Sequence, residues 1–326
     1  MNRFVRAVLG DADPANLGWI DYHDHMFQAT PLLPGDELDD EPASTREAGL
    51  LADSGFQTVV DATPYGLGRR PAALARISTV TGLTIVMTTG VHHSGHYLPG
   101  DPVLNASTAD LAELFVADLL DGARVVDSWH EPANRAQTPS GAPVRAGLVK
   151  VGIGYWTIDE FSSRAVVAAA EAHRQTGAPI MVHLEHGSAT HEVLDRFAAE
   201  GVPAARVILA HVDRNPDPGL HRDLADRGAY LGYDGPSRHR SWPDDTLIRC
   251  LADVTSGTAG ARRVVLGGDV ARRSRYVAYG GMPGLAYLGT RFVPRLRAAV
   301  GDDIVNLVLR ANPARVLQWY PPQSGQ

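Results

Sequence analysis

Eight short apolar runs, each followed by a stretch of helical period, constrain this chain more than any other feature. The runs fall near residues 18–24 (GWIDYHD), 57–62 (QTVVDA), 83–89 (LTIVMTT), 146–153 (AGLVKVGI), 179–184 (PIMVHL), 206–212 (RVILAHV), 229–234 (AYLGYD) and 264–269 (VVLGGD). They are largely apolar on both faces, as parallel strands covered by helices must be. The amphipathic stretches lie near 43–54, 69–81, 109–122, 158–176, 188–200, 219–227, 244–257 and 284–299. In the fourth, Ile158, Phe161, Val166, Ala169 and Ala170 form a helical stripe that Gly177 and Pro179 end. Eight strands alternating with eight helices in 326 residues is the arithmetic of a (β/α)8 TIM barrel. A doubly wound sheet is the alternative that the pattern leaves. Nothing reads as a linker or repeat, so residues 1–326 are expected to form a single domain. After about residue 300 one or two extra helices should follow, Asn312-Pro313 opening the second.

Composition excludes several classes. No window approaches the roughly 18 apolar residues of a membrane span. Asp11 and Asp13 interrupt the first apolar run, so no secretory signal is visible. A lone cysteine, Cys250, cannot form an internal disulfide, and the expected compartment is the cytoplasm. The net charge of −7 argues against a nucleic-acid surface. The basic residues are 29 arginines and a single lysine, Lys150. An amine can act as a nucleophile, form a Schiff base or take up carbon dioxide; a guanidinium does none of these.

In a barrel, catalytic groups gather at the carboxyl ends of the strands. His23 and His25 close the first run at spacing i, i+2, so both rings share one side of it. Lys150 ends the fourth, on the face of Leu148 and Gly152, which places it in the barrel mouth with Gly152 and Gly154 leaving space beside it. His183 ends the fifth, His211 the sixth and Asp269 the eighth. Singly, each has a bland explanation: a core histidine, a snorkelling lysine, a helix cap. Together they form a metal-binding constellation.

With these residues in place, the sequence resembles the amidohydrolase superfamily, and within it the phosphotriesterase-like group. DYHDH, GLVKVG, PIMVHLEHG, VILAHVD and LGGDV carry the resemblance across nearly the whole chain. It implies that His23, His25 and Asp269 hold one divalent metal ion and that His183 and His211 hold the other. A carbon-dioxide-modified Lys150 would bridge them. Two such cations acidify a bridging water, and Asp269 becomes both ligand and catalytic acid/base. Zinc is the first choice for mixed N/O ligands, with manganese, cobalt or iron fitting similar geometry.

Loops set the substrate. Arg238, His239 and Arg240 follow the seventh run; Arg272, Arg273, Arg275, Tyr276 and Tyr279 follow the eighth, where this fold habitually binds phosphate. Arg272, Arg275, Arg240 and Tyr97 are the expected substrate contacts. His92, His93 and His96 approach the mouth, as substrate contacts or as plain loop structure. The aromatic lining that a neutral ester would need is thin: Tyr97, Tyr155, Trp156 and Trp242. GYDGP and YGGMPG resemble the phosphorylated-sugar lactonases of the group. The expected partner is therefore a small anionic lactone, with a homodimer as a compatible assembly. A phosphotriesterase or acyl-homoserine lactonase is the second reading; a Schiff-base aldolase and a non-catalytic metal-binding protein are the readings outside hydrolysis.

Overall fold

The computed structural model describes residues 3–129, 134–238 and 242–320. A short antiparallel hairpin, β1 (Val5–Ala7) and β2 (Gly10–Ala12), precedes eight strands that pair in chain order. These are β3 (Ile20–Asp24), β4 (Thr58–Asp61), β5 (Thr84–Val91), β6 (Leu148–Ile153), β7 (Ile180–Leu184), β8 (Val207–Ala210), β9 (Tyr230–Tyr233) and β10 (Val264–Leu266). Every pair from β3 to β10 is parallel. The order never reverses, which excludes the doubly wound alternative. Just past β10 the chain returns to β3, where Asp269 N–H donates to His23 O at 2.7 Å and draws the two ends of the sheet together. The result is the (β/α)8 TIM barrel.

The helices α1 (Glu41–Asp53), α2 (Pro71–Thr81), α3 (Thr108–Leu120), α4 (Glu160–Thr176), α5 (Thr190–Ala199), α6 (Pro218–Asp226) and α7 (Asp244–Thr255) follow the successive strands. The ends of α4 show why the pattern was readable. Asp159 caps its first turn by accepting Ser162 N–H at 2.7 Å, and Gly177 closes it in the left-handed region at φ 77°. A short α8 (Thr258–Ala261) precedes β10; α9 (Val293–Asn306) and α10 (Asn312–Leu317) complete the described chain.

Alternation along the strands divides the core. Ile20, Tyr22, Val60, Ala62, Val86, Leu148, Met181, Ile208, Ala210, Tyr230 and Val265 point inward and fill the barrel. Val149, Val151, Val182, Leu209 and Leu231 point outward to the helix layer. Val5 of the hairpin and Val316 and Leu317 of α10 join the inner cluster and stop the amino-terminal end of the barrel. Asn312 ties α10 there, its Nδ2 donating to Val264 O at 2.8 Å and to Ala261 O at 2.9 Å.

Three features depart from the sequence pattern. The hairpin is unexpected because three-residue strands are too short to show alternation. β10 stops at Leu266, so Asp269 lies beyond the strand. The helix expected from residue 284 begins only at Val293, after the turns Arg273–Arg275 and Val277–Tyr279 and a wide turn over Leu288–Phe292.

Candidate metal centre

The barrel brings His23, His25, Lys150, His183, His211 and Asp269 into one buried cluster at the carboxyl ends of the strands. His23 lies in β3, Lys150 in β6 and His183 in β7. His211 and Asp269 each step off a strand end into left-handed backbone, at φ 66° and 44°. Such conformations are costly for residues bearing a Cβ and persist where the surroundings enforce them.

The hydrogen-bond network assigns the imidazole tautomers. His25 Nδ1 lies 2.7 Å from Thr63 Oγ1, whose own proton goes to Phe27 O at 2.6 Å. His25 therefore donates from Nδ1, and its Nε2 lone pair faces Asp269 Oδ1 at 3.4 Å. One carboxylate, Asp234, fixes two more rings: His23 Nδ1 at 3.1 Å and His211 Nδ1 at 2.6 Å. Tyr22 also donates its hydroxyl to Asp234. Gly232 admits that hydroxyl, since a Cβ there would stand 2.0 Å from it. His183 donates from Nε2 to Glu185 Oε2 at 3.1 Å.

With these protons placed, His183 Nδ1 and His211 Nε2 confront each other at 2.8 Å with lone pairs on both nitrogens. Likewise His23 and His25 turn lone pairs towards the Asp269 carboxylate, His23 Nε2 standing 3.5 Å from Oδ1. Acceptors converging on acceptors in a buried site fit divalent cations, with carboxylates holding the far nitrogens of three rings. Burial pushes the His25 and His211 rings down to about 3, so both are neutral and able to ligate at ordinary pH. Burial alone would push the Asp269 carboxyl up. Arg238, and then His23 and His211, hold it well below the usual carboxylate range.

Lys150 is fully enclosed; its Nζ donates to Ala62 O at 2.9 Å and lies 3.4 Å from His23 Nε2. Burial lowers its ammonium to about 8, which makes the neutral amine accessible. Gly152 does not leave room for this lysine as expected. A Cβ there would meet His93 N at 2.5 Å and His92 Nδ1 at 2.9 Å, so its space belongs to the turn after β5.

The model of the phosphotriesterase family matches residues 3–317. The chain belongs to the phosphotriesterase family. Among its relatives is a phospho-furanose lactonase of Mycoplasmopsis agalactiae, 28% identical over 99% of this chain and 93% of that protein. A crystal structure of an amidohydrolase from Mycoplasma synoviae superposes with a TM-score of 0.90 at 27% identity, covering 99% of this chain and 94% of the other. A lactonase from Listeria monocytogenes superposes with a TM-score of 0.85 at 29% identity, covering 97% and 99%.

In this family member Arg214, Arg238, Arg272, Arg275 and Trp242 line a cavity of about 1030 Å³, which none of the six clustered residues lines; Arg214 and Arg238, both paired with Asp269, connect the two. Arg272 and Arg275, expected as substrate contacts, both line this cavity. Arg240 and His239 lie outside the described residues. Tyr97 does not join the cavity wall. It is buried, and its hydroxyl accepts His92 N–H at 3.0 Å while donating to Tyr65 O at 2.9 Å, so it fastens a loop. Tyr155 and Trp156 are exposed. Sequence reasoning missed Asp234, Glu185 and Arg214, the last lying 3.1 Å from Asp269 Oδ2. The signal for Asp234 and Glu185 was available: Asp234 directly follows β9 and Glu185 stands two residues past His183.

Proposed function

We propose that this protein is a metal-dependent lactonase that opens a small phosphorylated sugar lactone. The observation that carries the anionic substrate is Arg275. Its guanidinium is half-buried in the cavity wall, and among the described residues its hydrogen bonds go only to Ser237, at 3.3 Å to O and 2.5 Å to Oγ. A partly desolvated cation without a carboxylate partner favours an incoming anion. Arg272 stands on the same wall, with Asp36 no closer than 3.8 Å. The carboxylates that share the wall are largely engaged: Asp244 meets Arg295 at 3.1 Å, and burial raises Asp213 to about 8. Relatives that are named phospho-furanose lactonases support the same reading.

His23, His25 and Asp269 would hold one divalent cation, and His183 and His211 a second, with Lys150 between them as a carboxylated bridge. That bridge forms when neutral Nζ adds to carbon dioxide and loses a proton. Zinc suits the nitrogen-rich donor set best. When bound, such cations supply polarisation of the lactone carbonyl and acidify water. Asp269, kept ionised by its neighbours, takes the proton of the attacking water and returns it to the leaving ring oxygen. Arg272 and Arg275 grip the phosphate and fix how the ring lies. Among the described residues no helix is long and apolar enough to cross a membrane.

The test is kcat/KM for matched lactones with and without phosphate, on the wild type, Arg272→Ala and Arg275→Ala. Each substitution should reduce use of the phosphorylated member by about 10- to 150-fold, the worth of a charge-assisted hydrogen bond. It should barely alter hydrolysis of the other. A wild type that prefers uncharged, apolar substrates would overturn the phosphate assignment in favour of a phosphotriesterase or acyl-homoserine lactonase.

A further inference from the structure

The histidine-rich turn after β5 has the makings of a third cation site. His92, His93 and His183 each offer a nitrogen within 4.8 Å of the others. The hydrogen bonds point elsewhere. His92 Nδ1 accepts the His93 N–H at 2.9 Å, so its lone pair is occupied and its proton resides on Nε2. His93 repeats the device, its Nδ1 accepting Gly95 N–H at 3.2 Å. A cation requires a nitrogen lone pair, but both rings present N–H groups instead.

The turn is also held firmly. A Cβ at Gly152 of β6 would collide with its backbone, as the short distances above show. Tyr97 fastens His92 from one side, and Ser94 Oγ donates to Asp159 Oδ2 at 2.7 Å on the other. The His96 ring lies against His92 with centroids 3.6 Å apart. These contacts fix the donors before any ligand arrives, which lowers the cost of ordering them on binding.

His92 Nε2 has no acceptor among the described residues. His93 Nε2 lies 3.8 Å from Glu185 Oε2, too far for a direct hydrogen bond. Both side chains are partly exposed, so a hydroxyl seated to the side of the pair can accept from the imidazole N–H and donate to the carboxylate. A carbonyl oxygen could only accept, and a phosphate would be repelled by Glu185. The adjoining His183 places this pair next to the candidate metal cluster, with ring centroids 4.2 Å from His92 and 5.7 Å from His93.

We propose that the His92–His93 turn is a hydroxyl-recognition site, in which the hydroxyl next to the lactone carbonyl accepts from His93 Nε2–H and donates to Glu185 on the exposed face of the pair. This inference rests on the lactonase reading and deepens it. The arginines take the anionic end of the substrate, and the histidine turn distinguishes a sugar ring from an acyl-substituted one.

The experiment is calorimetry on the metal-loaded protein with a five-carbon phosphorylated aldonate and its 2-deoxy counterpart, both products of the proposed reaction class. The wild type should bind the hydroxylated member about tenfold more tightly, the size of one neutral hydrogen bond. His93→Leu should erase that preference, and His93→Gln, which returns an N–H donor near the position of Nε2, should restore part of it. A preference that survives in His93→Leu would overturn the proposal. So would a third equivalent of metal in the wild type that His93→Leu loses. Failure of the lactonase reading is seen separately, as absence of lactone hydrolysis by the loaded wild type.

Discussion

Asp234 accepts hydrogen bonds from rings assigned to two different cations, so its charge and both oxygens matter. Asparagine offers one acceptor oxygen and one N–H2 group. In Asp234→Asn, either His23 or His211 must therefore face a donor with its own Nδ1–H. Loss of such an orienting carboxylate typically weakens metal binding about 10- to 100-fold. Competition of the loaded variant against a graded chelator should read that loss; unchanged retention would mean the rings are positioned by packing alone. The residues of the candidate cluster were legible because the strand period and the strand-end rule mark one-dimensional positions. Asp234 was passed over because an aspartate before Gly-Pro also reads as a turn former. Tyr97 was misjudged for a different reason. Nothing in one dimension tells an aromatic that faces a cavity from one whose hydroxyl fastens a main chain.

At the scale of elements, Arg69 joins segments that no local pattern connects. It precedes α2, and its Nη2 lies 2.7 Å from Asp118 Oδ2 of α3 and 2.8 Å from Asp127 Oδ1. Its Nη1 reaches Thr88 O of β5 at 3.2 Å. Asp118 also accepts from Thr89 Oγ1 at 2.7 Å, and burial still pushes its carboxyl up. Arg69→Met should destabilise the fold by about 3–5 kcal/mol, because it strands buried carboxylates. The urea midpoint checks this; a shift within error would show that the carboxylates simply protonate. Helices with strong caps, such as α4, were readable to within two residues. Elements fixed by distant partners, such as the hairpin closing the barrel floor and the late start of α9, were not.

For the whole molecule, the barrel seam and the cation site share residues. The Asp269 N–H that reaches His23 O belongs to a proposed ligand, as does its acceptor. Chelation should therefore lower the melting temperature and speed amide exchange at the seam, both reversed by reloading. A ligand present at a thousand times its Kd contributes about 4 kcal/mol to stability. Identical melting with and without metal would contradict this linkage. The same seam governs when the site can come into being. His23 and His25 are made early and Asp269 late. A nascent chain emerging from the ribosome can thus offer a passing ion two imidazoles but not the complete cage. If the proposed cations are bound, selection among competing metals would fall to the finished barrel rather than to the growing polypeptide, because the segment beyond the last strand supplies Asp269.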